Sequence, residues 1–171
     1  MRARQLSFLP SPRLAHGGDS RKGKRKLARP IDPKRPMHIT MRAAQARGPL
    51  SMLKRGSKAR IFTIVHETAE KFGVKIYRFQ NVGNHLHILV LTPSRRAFQS
   101  FLRETAGKIA MFITGGAKGR ALARRFWDLL AYSRIVSWGK EFKILSTYFA
   151  KNQLEALGIP RQDFLLKPLP S

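Results

Sequence analysis

The stretch Asn84-His85-Leu86-His87-Ile88-Leu89-Val90 constrains the fold of this chain more than any other. It is an apolar run of strand length that holds two imidazoles two positions apart. Successive strand side chains point to opposite faces, so His85 and His87 share one face while Leu86 and Ile88 enter a core. Two imidazoles on one face can hold one divalent ion, so the stretch that reads as a buried strand also suggests a metal site.

The flanking sequence supplies the rest of a sheet. Met37 to Arg42 alternates, with Met37, Ile39 and Met41 on one face and His38, Thr40 and Arg42 on the other. Ser57 to Phe72 spaces Ile61, Ile64, Val65, Ala69 and Phe72 helically and stops at Gly73, while His66 falls on this helix as a surface residue. Val74 to Gln80 alternates again, with Val74, Ile76 and Arg78 set against Lys75, Tyr77 and Phe79, and the turn Val82-Gly83-Asn84 closes a hairpin into the histidine strand. Ser94 is placed to cap a second helix, on which Phe98, Phe101, Leu102, Ile109, Phe112 and Ile113 recur until Gly115-Gly116. Phe126 to Val136 reads as a fourth strand. Lys140 to Leu157, closed by Gly158, reads as a third helix with the stripe Phe142, Leu145, Phe149 and Ala156. The order β-α-β-β-α-β followed by α predicts an α+β fold: a ferredoxin-like split antiparallel sheet with an added C-terminal helix. Two helices then cover one sheet face, and the other is left for a ligand or for the last helix.

Charge narrows the partner. With 34 Lys+Arg against 9 Asp+Glu the formal net charge is +25, and a polyanion, above all nucleic acid, is the expected partner. Residues 1–36 carry Pro10, Pro12, Gly17, Gly18, Pro30, Pro33 and Pro36 and the run Arg21-Lys22-Gly23-Lys24-Arg25-Lys26, and read as a basic disordered arm able to neutralise phosphates or simply to solubilise. The expected domain spans residues 37–158, with 159–171 as a C-terminal tail. No cysteine is present, which removes disulfides, zinc-finger ligand sets and cysteine nucleophiles. No apolar run approaches a membrane span and no secretory h-region is visible, so the expectation is a cytoplasmic protein, nucleoid-associated if bacterial. The glycine-rich basic loop from Gly115 to Arg125 lacks the P-loop spacing, and no nucleotide cofactor is expected.

Elimination reduces the candidate chemistry to histidine plus tyrosine. The acids of the folded part, Glu67, Glu70, Glu104, Asp128, Glu141 and Glu155, form no close set on a strand. There is no nucleophile-elbow sequence and no His-Glu-x-x-His. Tyr77 and Tyr132 fall in expected strands, where a half-buried ring usually packs. Tyr148 lies on the last helix with Asn152 four residues on, so both side chains project from one face beside the apolar stripe. A tyrosine snorkelling at a core edge is the plain alternative.

The ordered set Asn84-His85-Leu86-His87-Ile88-Leu89-Val90 and Tyr148-Phe149-Ala150-Lys151-Asn152 resembles the single-tyrosine HUH transposases, especially the REP-associated tyrosine transposases, whose typical strings are Asn-His-Val-His-Leu-Leu and Tyr-Ile-x-x-Asn-Pro. Met37-His38-Ile39-Thr40-Met41-Arg42 is similar to that family's opening strand. Phe126-Trp127-Asp128 and Tyr132-Ser133-Arg134-Ile135-Val136 are similar to the segment before its tyrosine helix. The similarity covers residues 37–158, and it departs from the pattern at Val82-Gly83, where Met-Pro is usual, and at Gln153, where Pro is usual.

The resemblance implies cleavage and rejoining of single-stranded or hairpin DNA through a covalent 5′-phosphotyrosine. It implies Tyr148 as nucleophile and a divalent ion on His85, His87 and Asn152, with Gln153 as an alternative to Asn152. A free phenol titrates at about 10, so the nucleophile needs a nearby cation or base. Mg²⁺ or Mn²⁺ is the implied ion, and imidazole ligands suit manganese better than magnesium. Arg42, Arg95, Arg96, Arg124 and Arg125 are candidates for holding the DNA backbone. Monomer and homodimer both remain open. Two other functions fit the same frame: a noncatalytic nucleic-acid-binding module of the RNA-recognition type, although no aromatic RNP-like strand is visible, and a metal phosphoesterase that uses the histidines without Tyr148.

Overall fold

The computed structural model describes residues 14–18, 27–116 and 125–156, with side chains as far as Phe149. Its strands are β1 (Ala15–His16), β2 (Met37–Arg42), β3 (Lys75–Asn81), β4 (His85–Leu91) and β5 (Tyr132–Ile135). Its helices are α1 (Ser57–Lys71), α2 (Arg95–Thr114) and α3 (Lys140–Ala156). They form one antiparallel sheet in the order β1-β5-β2-β4-β3, so β2 to β5 adopt the expected βαββαβ arrangement, and α3 carries Tyr148. Among the described residues no helix is long and apolar enough to cross a membrane.

Period-two alternation builds the two layers. Met37, Ile39, Met41, Leu86, Ile88 and Val90 are all buried and meet Ile61, Ile64 and Val65 of α1 and Phe98, Phe101 and Ile109 of α2 in the main core. The opposite face packs a smaller cluster, Leu89 and Val136 against Leu145 and Phe149 of α3, with Tyr77 and Phe142 at its margin. Helix ends follow local chemistry. Ser94 Oγ accepts the Ala97 N–H at 3.1 Å, and α2 stops where Gly115 turns left-handed at φ 66°. Ser94→Ala is expected to cost about 1 kcal/mol, a fall in Tm of roughly 2–4 °C by thermal melting, and an unchanged Tm would remove the cap from the account.

Three details depart from the pattern read in the sequence. A bulge between Ile76 and Arg78 inserts one residue in β3, so Phe79 pairs with Ile88 and joins the α1 side instead of sharing a face with Tyr77. The fourth strand is confined to Tyr132–Ile135, not Phe126 to Val136. Phe126 and Trp127 both turn toward the main core, which a strand forbids for adjacent residues, and the Trp127 indole N–H donates to the Ala106 carbonyl at 2.9 Å. Asp128 ties the same segment to β2: its carboxylate accepts the Ala44 N–H, and its own N–H donates to the Arg42 carbonyl at 2.9 Å.

The third detail lies within the stretch read as a basic arm, where residues 14–18 and 27–36 pack on the domain. Ala15 and His16 pair with Arg134 and Ser133 of β5, and Gly17 follows at φ 87°, where a Cβ would meet the Ala131 oxygen at 2.2 Å. Arg29 anchors the returning chain by donating to Ser133 Oγ and the Ala131 carbonyl while lying over the Phe98 ring, and burial lowers its pKa to about 10. The run from Arg21 to Lys26 lies outside the described residues.

Candidate active site

The register places a polar row across the sheet. Gln80 of β3 pairs with His87 of β4, His87 with Thr40 of β2, and Thr40 with Tyr132 of β5. One step toward the open end Arg42 pairs with His85, and two residues inward His38 pairs with Leu89 and with Arg134. All these side chains share the face that α3 covers, because paired strand positions point the same way.

The imidazoles of His85 and His87 stand side by side on this face. Their ring centroids are 4.8 Å apart with the planes at 84°. His85 Nδ1–H donates to Asn84 Oδ1 at 2.6 Å, which leaves the lone pair on Nε2. His87 Nδ1 lies 3.2 Å from His38 Nε2 and 3.3 Å from Thr40 Oγ1, and donation from Nδ1–H to either leaves His87 Nε2 free in the same way. Both imidazoles are held neutral. Burial first and then the charge of His85 bring His87 down to about 4, and burial first and then Arg42 lower His85 as well. Neutral imidazoles whose Nε2 lone pairs are left free in this way fit a divalent ion. Among the described residues no third His, Cys, Asp or Glu completes a set with them. The buried Gln80 amide, neither of whose polar atoms has a partner, shows that this face still has unused hydrogen-bonding capacity beside His87.

Tyr148 reaches this face within one chain. It is exposed on α3, and its ring stands edge-on to His87 with centroids 6.1 Å apart. Phe149, the next residue, is buried against both His38 and His87, so the packing that fixes the helix also fixes the tyrosine over the histidines. Beside them Thr40, Arg42, Asp128 and Tyr132 line a recess of about 540 Å³. A phenol, two neutral imidazoles and the guanidinium of Arg42 beside an open recess can engage a phosphodiester.

A family model described as "Transposase IS200 like" matches residues 37–152, which run from the first residue of β2 to Asn152. The chain belongs to the IS200-like transposase family. A search of curated proteins finds no match. Among solved structures, a candidate transposase from Deinococcus radiodurans R1 is similar at 14% identity and a TM-score of 0.46, covering 75% of this chain and 98% of that one. As a transposase the protein is a DNA-cleaving and rejoining enzyme with DNA as its partner, in a family that is generally metal-dependent.

The remaining residues singled out in the sequence fall on and off the site of this transposase. Asn152 and Gln153 lie on α3 beyond the described side chains, and Arg124 lies outside the described residues. Arg42 stands at the rim opposite His85, 3.6 Å from Asp128. Arg95 and Arg96 begin α2, which packs on the other sheet face; Arg95 donates to the Arg29 carbonyl. Arg125 is exposed, and its carbonyl accepts from Gln45.

Three residues of the face were not singled out. His38 stacks on His87 with centroids 5.4 Å apart and is almost fully buried, Arg134 pairs with Glu141, and Thr40 touches His87. For His38 and Thr40 the signal was the alternation of Met37 to Arg42 itself, which puts both opposite the core, but only the β2–β4 register shows that this side meets His87.

Burial, then His87 and Arg134, lower His38 from 6.5 to about 3. In an unfolded chain both histidines take protons near pH 6.5, whereas the folded protein resists until about 4 and about 3. Between those values the unfolded state binds more protons, so stability falls as the pH drops from 6.5 toward 4. Metal-free protein melted across that window should show a falling Tm, and His38→Asn should flatten the fall. An equally steep profile in the variant would mean that other groups carry the acid sensitivity.

Proposed function

We propose that this transposase is a metal-dependent single-stranded DNA endonuclease and strand transferase that works on hairpin-containing DNA through a covalent 5′-phosphotyrosine. The observation that carries the reading is the position of Tyr148 over His87, at 6.1 Å between rings, on the face that bears the imidazoles of His85 and His87. Tyr148 Oη attacks the scissile phosphorus. The tyrosine–phosphorus bond forms as the bond to the 3′-oxygen breaks, the phenolic proton is lost, and the departing oxygen gains one to become a 3′-hydroxyl. Reverse attack by a 3′-hydroxyl restores a phosphodiester and frees the tyrosine. The ester linkage keeps the energy of the original bond, so no nucleotide cofactor is needed.

His85 and His87, with Asn152 or in its place Gln153, would hold Mg²⁺ or Mn²⁺, which when bound supplies positive charge to the phosphate oxygens. Arg42 at the rim of the recess steadies the backbone phosphates. Tyr148 acts with the histidines of its own chain, since the helix that carries it packs on its own sheet. In this reading residues 37–158 are the catalytic unit, the basic residues before them add sequence-independent affinity, and 159–171 form a tail.

The test is to incubate the full chain with labelled hairpin-bearing single-stranded oligonucleotides and Mn²⁺ or Mg²⁺, and to look for a denaturation-resistant protein–DNA adduct together with a fragment ending in a 3′-hydroxyl. Cleavage without an adduct would favour the phosphoesterase. Binding without cleavage would favour the noncatalytic module.

A further inference from the structure

On the far side of the sheet from the histidines, α1 and the edge strand β3 enclose a groove of about 740 Å³ lined by Leu53, Lys54, Arg55, Lys58, Phe62 and Phe79, among others. Its cationic residues are Lys54, Arg55 and Lys58, and no carboxylate lines it. The aromatic wall is built for contact. Phe62 is 51% exposed on a helix whose neighbouring apolar positions, Ile61, Ile64 and Val65, are buried, so core packing does not account for it.

His66, one turn on, lies flat against Phe62 with centroids 3.8 Å apart. Its Nδ1–H donates to the Phe62 carbonyl at 2.9 Å, which fixes the imidazole against that ring. Phe79 stands edge-on to both rings at 6.0 and 6.1 Å. The β3 bulge is what turns Phe79 to this side. An exposed aromatic platform beside exposed cations is the arrangement by which proteins hold an unpaired base and its phosphate.

We infer that this groove binds unpaired nucleotides of the DNA substrate, with a base stacked on Phe62 and the flanking phosphates on Lys54, Arg55 and Lys58. The inference rests on the single-stranded DNA reading above. It adds a second contact site, separate from the chemistry, that holds DNA on the outer side of β3. The route between the two sites is short. Gln80 pairs with His87 and Phe79 with Ile88, so adjacent residues of the edge strand border the active-site face and the groove. In the described sheet no strand lies outside β3, which leaves a path for a single strand around its edge.

The experiment compares wild type, Phe62→Ala and Lys54→Gln/Arg55→Gln/Lys58→Gln in equilibrium binding to fluorescent single-stranded oligonucleotides, with and without an abasic segment, over a range of salt. Phe62→Ala is expected to weaken binding about tenfold or more. The abasic segment should weaken wild type to a similar degree and leave the variant unaffected. The triple variant should lower the slope of log affinity against log salt by roughly two. Both variants alter exposed residues, and their melting curves should match wild type.

Wild-type affinities in Phe62→Ala and in the triple variant, with adduct formation intact, would overturn the groove assignment and leave the transposase mechanism standing. A wild-type protein that neither binds single strands nor forms the adduct would overturn both.

Discussion

Tyr148→Phe is expected to abolish the covalent protein–DNA adduct and to reduce strand cleavage by at least about a thousandfold while DNA binding stays within about twofold. The substitution removes one oxygen. The ring of Tyr148 is exposed and makes edge contacts with His87 and Phe149, which phenylalanine reproduces, so the fold and the DNA-contacting surface are unchanged. No other tyrosine can take over. Tyr77 is packed against Trp138 and Phe142 beneath α3, and Tyr132 is half-buried in β5, where burial raises its pKa and makes its phenolate harder to form. The readout is a denaturing gel of labelled oligonucleotide with protein. Cleavage that survives in Tyr148→Phe would sink the nucleophile assignment and turn attention to a water-based phosphoesterase using the same histidines.

The second large effect is expected at the imidazoles. His85→Ala should lower Mn²⁺ affinity by at least about a hundredfold, read by calorimetry or by the manganese resonance signal, and take metal-dependent cleavage with it. His85 is half-buried and makes its side-chain hydrogen bond to Asn84, so the variant should melt close to wild type and separate lost metal from lost structure. His87→Ala should lose metal to the same degree but also destabilise the protein, because it leaves His38 Nε2 without its buried partner. Full metal-dependent activity in His85→Ala would remove the ligand pair from the mechanism.

Much of this architecture can be read from local periodicity. The alternation in Met37 to Arg42 and in His85 to Val90 assigns the two faces of β2 and β4 without any knowledge of their pairing, and the helical spacing in α1 and α2 identifies the residues that meet them. What periodicity misses are the features decided by contacts distant in sequence. The bulge that turns Phe79 over is invisible because Ile76 to Gln80 alternates acceptably in either register. The shortened β5 reflects the pull of Trp127 toward the Ala106 carbonyl and of Asp128 toward β2, both tertiary interactions.

The site divides along the same line. His85 and His87 announce themselves by spacing on one strand. His38 belongs to the same face only because β2 pairs with β4, and Phe62 with Phe79 forms a groove only because α1 lies against the bulged strand. Ala15 and His16 carry no strand signal of their own amid a basic stretch, and β5 supplies the partner that makes them one.

That short strand bears on how molecules of this protein meet one another. A sheet edge with unpaired backbone groups invites a second copy to extend it, the first step toward insoluble aggregates. At one end of this sheet β1 already takes the hydrogen bonds that β5 would offer a neighbour. At the other, β3 carries exposed Lys75 and Arg78, so two such edges brought together would repel. Edge-to-edge addition of copies is thereby opposed at one end by the chain's own two-residue strand and at the other by like charge.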